Sequence, residues 1–197
     1  MSVSTIADAI EAKSRAAWRQ WLAEHHATAK SVWVKLYKKG SGIPSVTYDE
    51  AVDEALCFGW IDSSIKKGDD TYRLQFFSRR NPKSNWSQVN KAKVEKLTAA
   101  GLMTDAGQAM VDLAKRTGTW TALDDVDSLT SPPDLQTALD ANPTAKANFD
   151  AFPRSPKRGI LEWLLNARTP ETRAKRIADI VAKAERNERA NQYVRKP

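Results

Sequence analysis

At 197 residues, 41% of them hydrophobic, the chain is long enough to bury one core, or one core and a helical appendage, without metal or disulfide staples. Its single cysteine, Cys57, excludes an intramolecular disulfide, and recurring charges leave no window near the roughly 18 apolar residues that a bilayer-spanning helix needs. With no positively charged start followed by an apolar stretch, the expected location is a reducing cytoplasm, without membrane insertion.

In chain order, Ser14 is the predicted N-cap of a helix running to about His25, with Trp18, Trp21 and Leu22 at three-to-four spacing. Residues 31–38 read as a strand, because Trp33, Val34, Leu36 and Tyr37 are strand formers; Gly40-Ser41-Gly42 then reads as a loop. Thr47 and Glu50 have the capping-box spacing ahead of Ala51, Val52, Ala55 and Leu56, and Gly59 is the expected helix stop. Residues 60–66 and 71–79 look like a hairpin, with Tyr72, Leu74 and Phe76 alternating against Arg73, Gln75 and Phe77. Ser84 or Ser87 caps the next helix, closed by Gly101, and Thr104 caps another, closed by Gly118. An aspartate-rich linker follows Trp120. Beyond it, helix starts are predicted at Pro132-Pro133-Asp134, Asn142-Pro143, Ser155-Pro156 and Thr169-Pro170-Glu171, since proline is favoured in a first helical turn. The pattern predicts an α+β fold: a small antiparallel sheet of about three strands packed with several helices over 1–120, then an all-helical region over 121–197 packed on it.

The net charge of +7 is unevenly spread. Between positions 66 and 96, nine basic residues (Lys66, Lys67, Arg73, Arg79, Arg80, Lys83, Lys91, Lys93, Lys96) meet three acidic ones, whereas 104–152 is acidic. The asymmetry predicts an anionic partner at the middle segment, against the plainer reading of a solvated surface.

The densest cluster runs from Phe76 to Ser87, where a strand end, a turn and a helix start coincide. Two guanidiniums, Arg79 and Arg80, suit bidentate bonds to phosphate or carboxylate, and the free N–H groups of a helix start add donors. Trp86 either stacks on a flat ligand ring or packs in the core. The expected ligand-binding set is Trp60, Asp62, Arg79, Arg80, Ser84, Trp86, Ser87 and Asn90, with Asp62 on the neighbouring strand orienting an arginine. Alternation along a regular strand, however, sends Arg79 and Arg80 to opposite faces. Cys57 reads as a small buried hydrophobe rather than a nucleophile, because it has no base beside it and ends a helix, where the dipole raises a thiol pKa. His25 and His26 point about 100° apart on a helix, so no metal is expected, and no phosphate loop, nucleophile elbow or paired-carboxylate motif signals a cofactor.

Across almost the whole chain the sequence resembles the YdeI/OmpD-associated, or bacteriocin-protection (OmdA-like), family. The resemblance lies in Trp21-Leu22, Val32-Trp33, the run from Tyr48 to Asp62, Arg79-Arg80 with Ser84-x-Trp86-Ser87-x-x-Asn90, and Gly118-x-Trp120. Trp163-Leu164-x-x-Ala167-Arg168-x-x-Glu171-Thr172-Arg173-x-x-Arg176-Ile177 completes it. It implies an association with bacterial resistance to cationic antimicrobial peptides by way of an outer-membrane porin, and it carries over no catalytic residues.

Three functions compete on the residues alone. The first is a cytoplasmic binding module for a small anionic ligand. The second is a nucleic-acid binder whose Lys66, Lys67, Lys91 and Lys93 track phosphates. The third is an enzyme on an anionic metabolite with Asp62 as acid or base, disfavoured for want of a nucleophile. The basic last helix reads either as a partner-docking arm or as an amphipathic helix packed on its own domain.

Overall fold

The computed structural model describes residues 5–192 and divides into two compact units, Met1–Thr121 and Ala122–Pro197. In the first, a 3-10 turn (Ile6–Asp8) leads to β1 (Ile10–Glu11), α1 (Arg15–His25), β2 (Ser31–Tyr37), α2 (Tyr48–Cys57), β3 (Trp60–Lys67), β4 (Tyr72–Arg79), α3 (Gln88–Ala99) and α4 (Asp105–Thr117). The sheet has the order β1-β2-β4-β3, so the expected three strands are joined by a fourth. Strand β1 is only two residues long and pairs parallel to β2, Ile10 opposite Val34. Such a short strand shows no alternation to read. Strands β2, β4 and β3 are antiparallel, with a register shift between Asp62 and Ile65.

One face of the sheet, with Val32, Val34, Leu36 and Phe77, meets Trp18 and Leu22 of α1 and the apolar side of α2 in a single core. Sequence dictates this locally: the Thr47 hydroxyl accepts from the Glu50 N–H while the Glu50 carboxylate accepts from the Thr47 N–H, so α2 starts there. Its end is set by Gly59, at φ 72, where a side chain would be strained and would also strike Met110. Helix α4 crosses the end of α2 so closely that a Cβ on Gly107 would lie 2.2 Å from the Cys57 carbonyl oxygen. Buried Glu54 accepts from Arg15 and Arg19 at 2.6 Å each, tying α1 to α2.

The second unit contains α5 (Asp124–Asp127), α6 (Pro133–Asp140), α7 (Pro143–Ala151), α8 (Arg154–Leu165) and α9 (Pro170–Glu185). Its own core is built from Leu135, Leu139, Phe149, Ile160, Leu164 and Ile180. The aspartate-rich stretch expected as a linker holds the short α5, whose Asp127 accepts from Arg158 at 2.7 Å. Helix α8 begins at Arg154, one residue ahead of the expected Ser155 cap, with no side-chain cap at all; Pro156 still falls in its first turn. On α9, Arg173 makes a two-point bond to Asp134 of α6, at 2.5 and 2.8 Å, and Arg176 lies over the Trp163 ring at 4.8 Å. Both arginines therefore serve packing within this unit. Among the described residues, no helix is long and apolar enough to cross a membrane.

Candidate functional site

The residues singled out in sequence occupy distinct places. Arg79, the last residue of β4, donates from Nε to the Ala29 carbonyl at 2.9 Å and from Nη2 to the Ala27 carbonyl at 2.5 Å, clamping the turn between α1 and β2. Arg80 turns the other way: its guanidinium stacks 3.7 Å over Trp86, and Nη2 donates to the Asn85 carbonyl at 2.5 Å. Only 5% of Arg80 is exposed, its buried Nε has no hydrogen-bond partner among the described residues, and burial pulls its pKa down to about 10. The two arginines do not converge on one anion position: Arg79 reaches the turn at Ala27 and Ala29, and Arg80, just past the end of β4, stacks on Trp86.

The others follow the same pattern. Trp60 and Trp86 are buried, Trp60 edge-on to Trp21 and Trp86 against Trp120. Ser84 donates to the Asn81 carbonyl at 2.7 Å within a turn, leaving Ser87 as the N-cap of α3, where its hydroxyl accepts from the Asn90 N–H. Asp62 orients neither arginine; it accepts from the Tyr48 hydroxyl at 2.7 Å. The lysines of the basic segment are divided as well: Lys66 lies over the Trp33 ring, Lys91 is buried, and Lys93 is paired with Asp53 at 2.6 Å. Cys57 is wholly buried, and desolvation raises its thiol pKa, which removes the thiolate a nucleophile needs.

Tyr48 leads from Asp62 to the opposite end of the sheet. There the end of β2, residues 38–46, the start of α2 and Arg73 of β4 enclose a cleft of about 820 Å³. Leu36 and Arg73 are register partners, so the arginine rises from the sheet beside the cleft floor. The loop is held by Tyr37 N–H donating to Ser45 Oγ and Val46 N–H donating to the Ala12 carbonyl, and Gly42, at φ 72, lets the chain reverse. Ile43, Pro44 and Val46 make one apolar wall, while Lys38, Lys39 and Arg73 supply positive charge with no acidic residue in the lining.

Two features mark this cleft electrostatically. The Arg73 guanidinium sits 5.2 Å from the Tyr48 ring centroid, and among the described residues no carboxylate lies within ion-pair distance of it. Tyr48 has its pKa pushed up to about 12, first by burial and then by its bond to Asp62, so its hydroxyl is a fixed, protonated donor at neutral pH. The sequence held these parts in view separately: Arg73 as one position of an alternating strand, and Gly40-Ser41-Gly42 as a loop. Nothing in their spacing shows that a strand and a loop more than 25 residues apart close on one space.

Fold and cleft together define an α+β domain with a ligand-sized depression at one end of its sheet, followed by a helical unit. Residues 10–110, which include the whole cleft lining, match the model of a family described as Domain of unknown function (DUF8412), and residues 128–187, covering α6 to α9, match OmdA, described as Bacteriocin-protection, YdeI or OmpD-Associated. The chain belongs to the DUF8412 family through its first unit and carries in its second the OmdA domain of the YdeI/OmpD-associated family. No curated protein and no solved structure matches it.

Proposed function

We propose that this chain is a cytoplasmic binding module for a small anionic ligand, held in the cleft between residues 38–46 and Arg73. The observation that carries the reading is Arg73 itself: an exposed guanidinium facing a lining that contains other cations and no acid. An arginine so placed forms charge-assisted, bidentate bonds to a carboxylate or phosphate without first breaking an internal ion pair. The volume falls within the range of roughly 300–1,000 Å³ common for small-molecule sites.

The alternative of a nucleic-acid surface on 66–96 has less support, because Lys91 and Lys93 are taken up by burial and by Asp53. Bacteriocin protection, if exerted by this chain, fits an indirect route, since a net charge of +7 repels cationic peptides at long range. The test is isothermal calorimetry against inorganic phosphate, acetate, citrate and nucleoside monophosphates, with wild type and Arg73→Gln. Saturable binding by at least one of these that weakens about tenfold or more in the variant is the expected result, in line with roughly 1.5–3 kcal/mol for a hydrogen bond to a charged group. Binding unchanged by the variant, or none to any anion, overturns the reading.

A further inference from the structure

The cleft is much larger than its positive end requires. At about 820 Å³ it is far larger than an inorganic anion, so such an anion on Arg73 leaves most of it filled with solvent. That remaining space is bounded by Leu36, Ile43, Pro44 and Val46. Ile43 is 44% exposed, a large aliphatic side chain held against water by a loop whose neighbouring position, Gly42, needs a left-handed backbone. The aliphatic wall is carried by residues 43–46, while the charge comes from Lys38 and Lys39 at the start of the same loop and from Arg73 on β4. Lys38 also donates to the Asp70 carbonyl at 2.8 Å, whereas among the described residues Lys39 and Arg73 have no side-chain hydrogen bond or ion pair to give up, and of these two Arg73 is the one set against the Tyr48 ring.

From this division we infer that the ligand is an amphipathic anion, a single carboxylate or phosphate head on an aliphatic body, with the head on Arg73 and the body against Ile43, Pro44 and Val46. The inference rests on reading the cleft as an anion site and adds the class of molecule it takes. Each methylene buried against the wall contributes about fourfold in affinity when fully desolvated. The Tyr48 ring, fixed by its bond to Asp62, forms a rigid partition beside the head.

The experiment is a calorimetric series on the full chain: acetate, butanoate, hexanoate, octanoate, inorganic phosphate, octyl phosphate and octanol, all below their micelle-forming concentrations, with phosphatidylglycerol vesicles as a separate arm. Wild type, Arg73→Gln and Ile43→Ser are compared, with melting temperatures recorded to confirm that each variant is folded. The expected result is affinity rising at least twofold per methylene from butanoate to octanoate. Arg73→Gln should weaken every acid about tenfold or more, Ile43→Ser should flatten the rise with chain length, and octanol should bind far more weakly than octanoate. If acetate or phosphate binds through Arg73 but chain length adds nothing, the amphipathic class is overturned while the anion site stands. If none of these acids binds, the amphipathic class falls, and the anion site falls with it when citrate and the nucleoside monophosphates fail as well. A rise that persists unchanged in Arg73→Gln and Ile43→Ser overturns the inference in favour of nonspecific partitioning, and binding to phosphatidylglycerol vesicles without response to the soluble acids overturns it in favour of a membrane surface.

Discussion

Arg80 brings a charge into the protein with no carboxylate among the described residues to meet it. Its compensation is the Trp86 face at 3.7 Å and the Asn85 carbonyl, and its Nε has nothing. With its pKa pulled down to about 10 by burial, the guanidinium is still protonated at neutral pH, so the burial penalty stands there and the charge is a tolerated cost rather than a source of stability. We expect Arg80→Met, which keeps volume and removes the charge, to change unfolding free energy by less than about 1.5 kcal/mol in urea melts, and Arg80→Ala to lose about 2–4 kcal/mol by opening a void over Trp86. At Tyr48 the sign of the pH effect is the reverse of a paired carboxylate. Its folded pKa, about 12, lies above the ordinary 10, so the stabilisation is complete below pH 10 and is lost as pH rises through 12. In an ultraviolet titration, the difference between wild type and Tyr48→Phe should show one phenolate appearing near pH 12; a difference midpoint near pH 10 would mean the hydroxyl is neither buried nor held by Asp62.

Among the elements, those with capping chemistry were readable in advance. Ser14, Thr47, Ser87, Thr104, Asn142 and Thr169 each accept from the backbone N–H three residues on, because a hydroxyl or amide at that position satisfies a donor the helix cannot. Thr47→Ala should therefore cost about 1 kcal/mol, measurable as a lower urea midpoint at unchanged slope. Elements defined by a partner rather than by themselves were not readable: β1 exists through its pairing with β2, and the crossing of α4 over α2 depends on Gly107. That glycine sits in a helix where alanine is intrinsically better, so propensity predicts stabilisation by Gly107→Ala. The 2.2 Å approach to the Cys57 carbonyl predicts the opposite, a loss of about 2 kcal/mol or more with α2 and α4 forced apart, and circular dichroism melts decide between them.

At the scale of the whole chain, the two hydrophobic cores are separate clusters, one with Trp18, Phe77 and Leu56, the other with Leu135, Leu139 and Phe149. Chains with two cores commonly depart from two-state unfolding, and scanning calorimetry should resolve two components, of which Leu139→Ala lowers one and Phe77→Leu the other. By itself the sequence determined the α+β class, the strand hairpin and most helix boundaries, since each rests on residues within a few positions of one another: alternation, caps, and proline at a first turn. Only the tertiary structure decided what the charged residues do. It spent Arg79 on two carbonyls, Arg80 on Trp86, Arg173 on Asp134 and Lys93 on Asp53, and it left Arg73 facing an apolar-walled cleft. The physical reason is range: a cap or an alternating strand is chosen by near neighbours, whereas a charge is neutralised, buried or left open by segments tens of residues away that folding brings beside it.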